Sequence, residues 1–235
     1  MKDGKTLLSE GIKILCKNDD EIDRLITPRY DAFISLVMRY INEIELFNPA
    51  YGLVGTSDTA ELVIKHILDS LSPLGIISRL VPRKIESSEK APQIADAGSG
   101  AGLPGLPLAI AMPYCDFTLI ERMGRRAGFL FNTKAVLALS NITVEENELE
   151  KTARNFDLIT FRAFKPLQPK LLKTLFKICA QGGVIAAYKG RREKIEEEIL
   201  PLHEAGNSRL DWEVLPYSVP FLEEERNLLI IKPKL

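Results

Sequence analysis

The sequence predicts an α/β protein: a mostly parallel, open sheet of seven strands with an antiparallel last strand, preceded by a helical extension. Three observations predict it. From Gln93 onward, short apolar runs alternate with stretches of helical periodicity, the pattern of repeated βαβ units. The two final runs, Leu210–Leu215 and Asn227–Ile231, have no helical stretch between them, so they should pair antiparallel at the sheet edge. Before Gln93 the periodicity is helical only, and the polar, Pro-bounded segment PRKIESSEKAP separates the two regimes as a loop. The expected organisation is an extension over 1–80 and a sheet domain over 81–235, in one continuous globular unit.

Each element has its own signal. Phe33, Val37, Tyr40, Ile44 and Phe47 recur at steps of three and four, one face of an amphipathic helix, with Thr27 as N-cap and Pro28 at the first position. A shorter helical pattern precedes it. A further helix is expected over Asp58–Ser70, with Leu62, Val63, His66, Ile67 and Ser70 near one face. Strands follow at Gln93–Ala97, Phe117–Ile120, Ile142–Glu145, Phe156–Phe161 and Gly183–Tyr188. The intervening helices start at Pro104 and cover Gly124–Leu139, Gln168–Cys179 and Arg192–Leu200.

Composition narrows the function classes. The chain has 235 residues, 46% of them hydrophobic, enough to fill a full core. It holds no run of 18 or more apolar residues, and the stretch MKDGKTLLSEGIKILCKNDDE has no long apolar centre, so a soluble cytoplasmic protein without a membrane partner is expected. Cys16, Cys115 and Cys179 are odd in number and far apart, which suits neither a disulfide framework nor a metal cluster. With only two histidines, His66 and His203, no zinc site is expected. A net charge of −1 argues against a general nucleic-acid coat, but it allows an enzyme that gathers its positive charge on one face.

The chemistry-bearing motif is Asp96-Ala97-Gly98-Ser99-Gly100-Ala101-Gly102, which closes the first strand and opens a helix. Such glycines allow a tight turn and let a ligand approach bare backbone. Gly100-Ala101-Gly102-Leu103-Pro104-Gly105 also satisfies the dinucleotide pattern GxGxxG. Two details favour S-adenosylmethionine instead. Asp96, at the strand end, suits a methionine ammonium and would repel a pyrophosphate. Pro104 and Pro107 remove amide donors that a pyrophosphate would use. Glu121 ends the next strand, where an acid grips two ribose hydroxyls, a feature both cofactors share. Five parallel strands and an antiparallel pair are the architecture of a Rossmann-like class I S-adenosylmethionine-dependent methyltransferase.

With DAGSGAGLPGLPLAI in view, the sequence resembles the RsmG family, also called GidB, the bacterial methyltransferases of guanine N7 in small-subunit ribosomal RNA. NPAYGLVG, LVIKHILDSL, FTLIERMGRRAGFL, FDLITFRAF, AAYKG and ERNLLIIK resemble family segments and run in family order from about Asn48 to Lys232. The resemblance implies that Gly98, Leu103, the Leu149-Glu150 pair and Arg162 contact the cofactor, with Leu149-Glu150 flanking the adenine. It implies a guanine in the decoding region of 16S rRNA as target, presented by the RNA or the 30S subunit. Lys65 stands in the family's basic position. There are departures: Gly52-Leu53-Val54 replaces Asn-Leu-Thr, Glu121 replaces the commoner Asp, Asn147-Glu148 replaces Ser-Arg, and the loop between Leu80 and Gln93 is long.

Guanine N7 is a lone-pair nucleophile with no proton to lose, so the reaction needs placement rather than a general base. The segment Phe161-Arg162-Ala163-Phe164 lacks the Asp/Asn-Pro-Pro-Tyr pattern that holds an exocyclic amine. Asn48-Pro49-Ala50-Tyr51 resembles that pattern but reads as a helix-ending turn. No cysteine follows the fourth or fifth strand to attack cytosine, and Cys179 reads as buried helix filler. Arg122, Arg125 and Arg126 follow the second strand, Arg162 and Lys165 the fourth, and Lys189, Arg191 and Arg192 the fifth. A basic rim on the crevice face suits an RNA backbone. The residues expected to contact RNA are Lys65, Arg125, Arg126, Lys165, Lys189, Arg191 and Arg226, in a monomer. Arg162 has two functional readings, the cofactor carboxylate or the base edge at O6 and N7, and a structural one as ion-pair partner of Asp96 or Glu121. Phe164 either stacks on the base or is core, and His66 either orders the cofactor loop or caps packing. Three rivals remain: a small-molecule methyltransferase with an apolar lid, a nicotinamide oxidoreductase, and a non-catalytic RNA-binding relative.

Overall fold

Val184, Ala186 and Tyr188 face one side of the sheet while Ile185 and Ala187 face the other, and all five are buried. Burial on both faces explains why the parallel strands read as continuous apolar runs. The computed structural model describes residues 3–82, 90–163, 166–204 and 210–233. Parallel strands β1 (Gln93–Ala97), β2 (Asp116–Glu121), β3 (Ile142–Glu146), β4 (Phe156–Arg162) and β5 (Cys179–Lys189) are joined by β6 (Leu210–Tyr217) and β7 (Arg226–Pro233). The seven strands lie in the order β3-β2-β1-β4-β5-β7-β6. β7 runs antiparallel to both β5 and β6, so the late pair forms the sheet edge with the last strand inserted inside it. This is the fold class expected from the sequence. The middle of the long polar loop, 83–89, lies outside the described residues.

Helices α1 (Gly4–Asn18), α2 (Asp20–Ile26) and α3 (Tyr30–Tyr51) share one core with the sheet: Leu8, Ile12, Phe33 and Val37 pack in the same cluster as Ile94, Leu119, Leu158 and Ile230. Polar ties fix the same contact. Arg29 donates through Nη2 to the carbonyls of Ile110 (2.5 Å) and Ala111 (2.6 Å), at the end of α7 (Gly105–Ala111). α8 (Gly124–Leu137) packs on this face as well, whereas α9 (Pro169–Ile178) and α10 (Arg192–Glu204) cover the other. No helix among the described residues is long and apolar enough to cross a membrane.

Two expectations are corrected. Thr27 is not the N-cap of the long helix. Ile22, Leu25 and Ile26 are buried and keep α2 helical up to Thr27, which then opens a tight 3₁₀ turn, Thr27–Arg29, before α3 starts at Tyr30. The Thr27 hydroxyl donates back to Asp23 Oδ1 at 2.6 Å instead of accepting from a helix amide. Cys179 is also not helical, because β5 starts there and not at Gly183. The pairing with β4 jumps from Phe156↔Cys179 to Leu158↔Val184, and Gly182, at φ +76°, absorbs the irregularity. A glycine pair that reads as a strand boundary is therefore a bulge within the strand.

The stretch 59–71 is one helix in three parts. α4 (Thr59–Leu62) is capped by Asp58, whose Oδ1 accepts from Glu61 N at 2.9 Å. A π-helical turn follows over Val63–Leu68, and α5 (Asp69–Leu71) completes it before α6 (Leu74–Leu80). A π turn inside an α-helix is rare and is frequently found at functional sites. This one overlooks the carboxyl ends of β4 and β5.

Candidate active site

In an open parallel sheet the ligand crevice lies beyond the carboxyl ends of the strands where their order reverses, here between β1 and β4. The glycine loop follows β1 at that point. Gly98 N and Ser99 N both donate to Ile120 O (2.9 and 3.1 Å), stitching the loop to the end of β2. Gly102 sits at φ +89°, and a Cβ on it would fall 2.3 Å from Leu106 Cδ1, so only glycine fits. At Gly105 a Cβ would fall 2.6 Å from Asp96 Oδ2, and that approach lets Gly105 N donate to the same oxygen at 3.0 Å.

Asp96 is completely buried, and its second oxygen, Oδ1, has no partner among the described residues. Burial pushes its carboxyl up to about 6. Glu121 is buried at the end of β2 and accepts Gly100 N through Oε2 (3.0 Å) and Met123 N through Oε1 (2.8 Å). Each oxygen keeps a further lone pair for a hydroxyl. Leu149 is buried and Glu150 exposed in the short turn Leu149–Lys151 after β3. Leu103 is buried at the loop's far end. These residues fit S-adenosylmethionine: an orphaned carboxylate oxygen for an ammonium, bare backbone at Gly98 and Gly100, an acid for the ribose, and an apolar wall. Tyr40, fully buried on α3, donates to Ala101 O at 2.7 Å and braces the loop from below.

Arg162 ends β4 and lies against the π turn. Its Nη1 donates to Lys65 O (3.2 Å), His66 O (3.4 Å) and Asp69 Oδ2 (3.1 Å), while Nη2 stands 3.1 Å from His66 Nδ1. The structural reading named Asp96 or Glu121 as its ion-pair partner; the partner is Asp69. Both carbonyls that Arg162 meets belong to the π turn. Asp69 is shared further: Tyr217 Oη donates to its Oδ1 (3.0 Å) and Arg226 Nε lies 3.5 Å from the same oxygen. Burial, helped by Asp69, holds the Tyr217 hydroxyl far above its usual range, so it is a permanent donor. Tyr188 Oη donates to Ser70 O at 2.9 Å. Immediately after Arg162, Ala163 takes the left-handed conformation at φ +48°, local strain of a kind concentrated at functional sites.

Around this network lies a cavity of about 860 Å³, walled among others by Lys65, His66, Arg162, Tyr188, Lys189 and Arg226. Of the residues expected to meet RNA, Lys65, Lys189 and Arg226 thus come together with Arg162. Each is matched by an acid: Lys65 by Glu61 (3.0 Å), Lys189 by Glu198 (2.5 Å) and Arg226 by Glu224 (2.9 Å). Arg125 and Arg191 are exposed outside this cavity, with no ion-pair partner among the described residues. Arg126 turns toward α3, its Nη2 3.4 Å from Gly52 O. Lys165 and Phe164 lie outside the described residues. Asn48 is committed to its own loop, donating to Thr56 O (2.8 Å) and accepting from Val54 N (2.9 Å), so it holds a turn and not a substrate amine. Burial pushes the Cys179 thiol up to about 11, which leaves it without nucleophilic character near neutral pH.

Sequence reasoning missed Tyr40, Tyr188 and Tyr217 as site supports and gave Asp69 no partner. Tyr40 carried the signal of its helical face but not of its hydroxyl. Asp69, on an otherwise apolar helix face, was the signal for a buried partner.

The chain matches the family model GidB, described as rRNA small subunit methyltransferase G, over residues 34–229. It is 40% identical to the ribosomal RNA small subunit methyltransferase G of Treponema pallidum over 96% of this chain and 92% of that one. The protein of the same name from Treponema denticola is 37% identical over 97% of this chain and 96% of its own. Among solved structures, a putative O-methyltransferase from Klebsiella pneumoniae matches the fold with a TM-score of 0.55 at 15% identity, covering 83% of this chain and 90% of that one.

Proposed function

The chain belongs to the rRNA small subunit methyltransferase G family, and on that premise we propose that it methylates N7 of a guanine in the decoding region of 16S rRNA, using S-adenosylmethionine. The cofactor supplies an electrophilic methyl group on a sulfonium sulfur. Asp96, Gly98, Gly100, Gly102, Leu103, Glu121, Leu149 and Glu150 hold it, while Arg162 stands between the cofactor loop and the cavity. N7 carries no proton, so the residues of the cavity need only place the base in line and keep water out. The side chains agree with that division of labour. The carboxylates of the cavity wall are tied to cations, Asp69 to Arg162 and Glu198 to Lys189, and none stands poised as a base.

The observation that carries this reading is the adjacency of the two parts: a glycine loop with an orphaned carboxylate oxygen at the end of β1, and a cation-lined cavity at the ends of β4 and β5. The protein acts as a cytoplasmic monomer on the RNA or the small subunit. Tritiated S-adenosylmethionine, small subunits from a strain lacking the activity, and nucleoside analysis test it. Label in 7-methylguanosine of the small-subunit RNA is expected. Cofactor binding without labelled RNA would turn the reading toward a small-molecule substrate, and absence of cofactor binding would remove the basis of the glycine-loop assignment.

A further inference from the structure

We propose that His66 reads O6 of the target guanine as a hydrogen-bond donor, fixed in its Nε2–H form by Arg162. The inference rests on the guanine-N7 reading above. A guanidinium has donors only and stays protonated, so the His66 Nδ1 that lies 3.1 Å from Arg162 Nη2 must present a lone pair. The ring's one proton is then on Nε2. Burial and the Arg162 charge lower the ring's pKa to about 4, which keeps the ring neutral in the working range.

His66 lines the cavity, and its Nε2 has no acceptor among the described residues. The other side-chain donors of the wall each have an acid or carbonyl partner: Arg162 on Asp69 and two carbonyls, Lys65 on Glu61, Lys189 on Glu198, Lys194 on Glu197, Arg226 on Asp69 and Glu224, Tyr188 on Ser70 O and Tyr217 on Asp69. The π turn aims the ring, because Arg162 grips the Lys65 and His66 carbonyls on either side of it.

A single neutral donor is what guanine-N7 chemistry asks for. The base edge offers O6 and N7 as neighbouring acceptors, and a bidentate cation would occupy the very lone pair that must attack. A lone N–H on O6 orients the base and leaves N7 bare. Adenine presents an amino group where guanine has O6, so the same N–H would meet N–H and reject it.

The test is a cycle between this ring and the base's O6. Small subunits are reconstituted with 16S RNA ligated to carry either guanine or 2-aminopurine, which keeps N7 and lacks O6, at the target position. The wild-type enzyme is expected to lose about 10- to 100-fold in kcat/KM on 2-aminopurine. His66→Phe should lose as much on guanine and nothing further on 2-aminopurine, with cofactor affinity retained. His66→Gln, whose amide can place an N–H near Nε2, should recover part of the guanine rate, and it completes the cycle if the Phe variant does not fold. Losses that multiply in an active enzyme would overturn the inference alone. A wild-type enzyme that methylates no guanine N7 would overturn it together with the reaction it rests on.

Discussion

Along β1–β3 the crevice is lined by residues that lie close in the chain, Asp96 to Glu150, and its polar contacts end mostly on backbone amides. Along β4–β7 the wall is gathered from Asp69, Arg162, Tyr188, Tyr217 and Arg226, and most of its contacts join side chains from different elements. The first half is shaped by a local turn with one distant brace, Tyr40. The second is a network in which each member holds the next, so its deletions should be far from additive.

Arg162→Ala should give the largest effect, since it cuts the network at its centre. Methyl transfer should fall by about 10³-fold or more, the scale of a lost preorganised charge contact. Leaving the buried Asp69 with a weakened partner set should cost about 3–5 kcal/mol of stability, read by denaturant unfolding. Arg162→Lys should rescue neither, because one ammonium cannot reach Asp69, two carbonyls and His66 Nδ1 together. Full recovery by Lys would show that charge alone matters and would erase the contrast between the halves.

Asp96→Asn should separate cofactor affinity from stability in the local half. Loss of the carboxylate should weaken S-adenosylmethionine by about 10- to 100-fold, as for a hydrogen bond to a charged group. The same change should stabilise the ligand-free protein near pH 7 by up to about 3 kcal/mol, since each pKa unit is worth about 1.4 kcal/mol. The sign follows from a carboxyl raised to about 6: the folded state holds its proton longer than the unfolded state does, so stability falls as pH rises from about 4 to 6. His66 works the other way, because a ring lowered to about 4 makes stability fall as pH drops from about 6.5 toward 4. The variant should show the His66 slope without the opposing one, by thermal unfolding across that range.

A matched pair sharpens the contrast further. Tyr40→Phe removes the brace under Ala101 and should cost about 1–2 kcal/mol and a few-fold in cofactor affinity, with RNA KM little changed. Tyr217→Phe should reverse that split, raising RNA KM while cofactor titration stays near wild type. The smallest effect belongs to the exposed cations outside the cavity. Arg125→Ala and Arg191→Ala should each lower the salt slope of RNA affinity by about 0.7–0.9, one phosphate contact apiece.

How much of this was legible follows the same division. The βαβ rhythm, the antiparallel pair and the glycine loop with Asp96 and Glu121 are written locally, in strings a few residues long, and the sequence reading placed them correctly. Thr27 and Cys179 were misplaced because capping preference and a glycine pair are local cues, overridden here by continued burial of α2 and by a bulge in β5. The partner of Arg162 was out of reach for a different reason. Asp69 lies beyond a loop and several elements, and nothing in its own neighbourhood says which cation will find it. The π turn was equally hidden, since VIKHIL has ordinary helical periodicity and the carbonyls that meet Arg162 do so across nearly a hundred residues of chain.

The insertion of β7 between β5 and β6 has a consequence for the order in which the molecule is made. A chain emerging from its amino end completes the glycine loop while the sheet still lacks its final strand, and β6 has no hydrogen-bonding neighbour until β7 slides in beside it. Arg226 arrives with that strand, and Tyr217 reaches Asp69 only once β6 is seated. During synthesis the glycine loop is therefore complete before the Asp69 network, which closes only when the last two strands are in place.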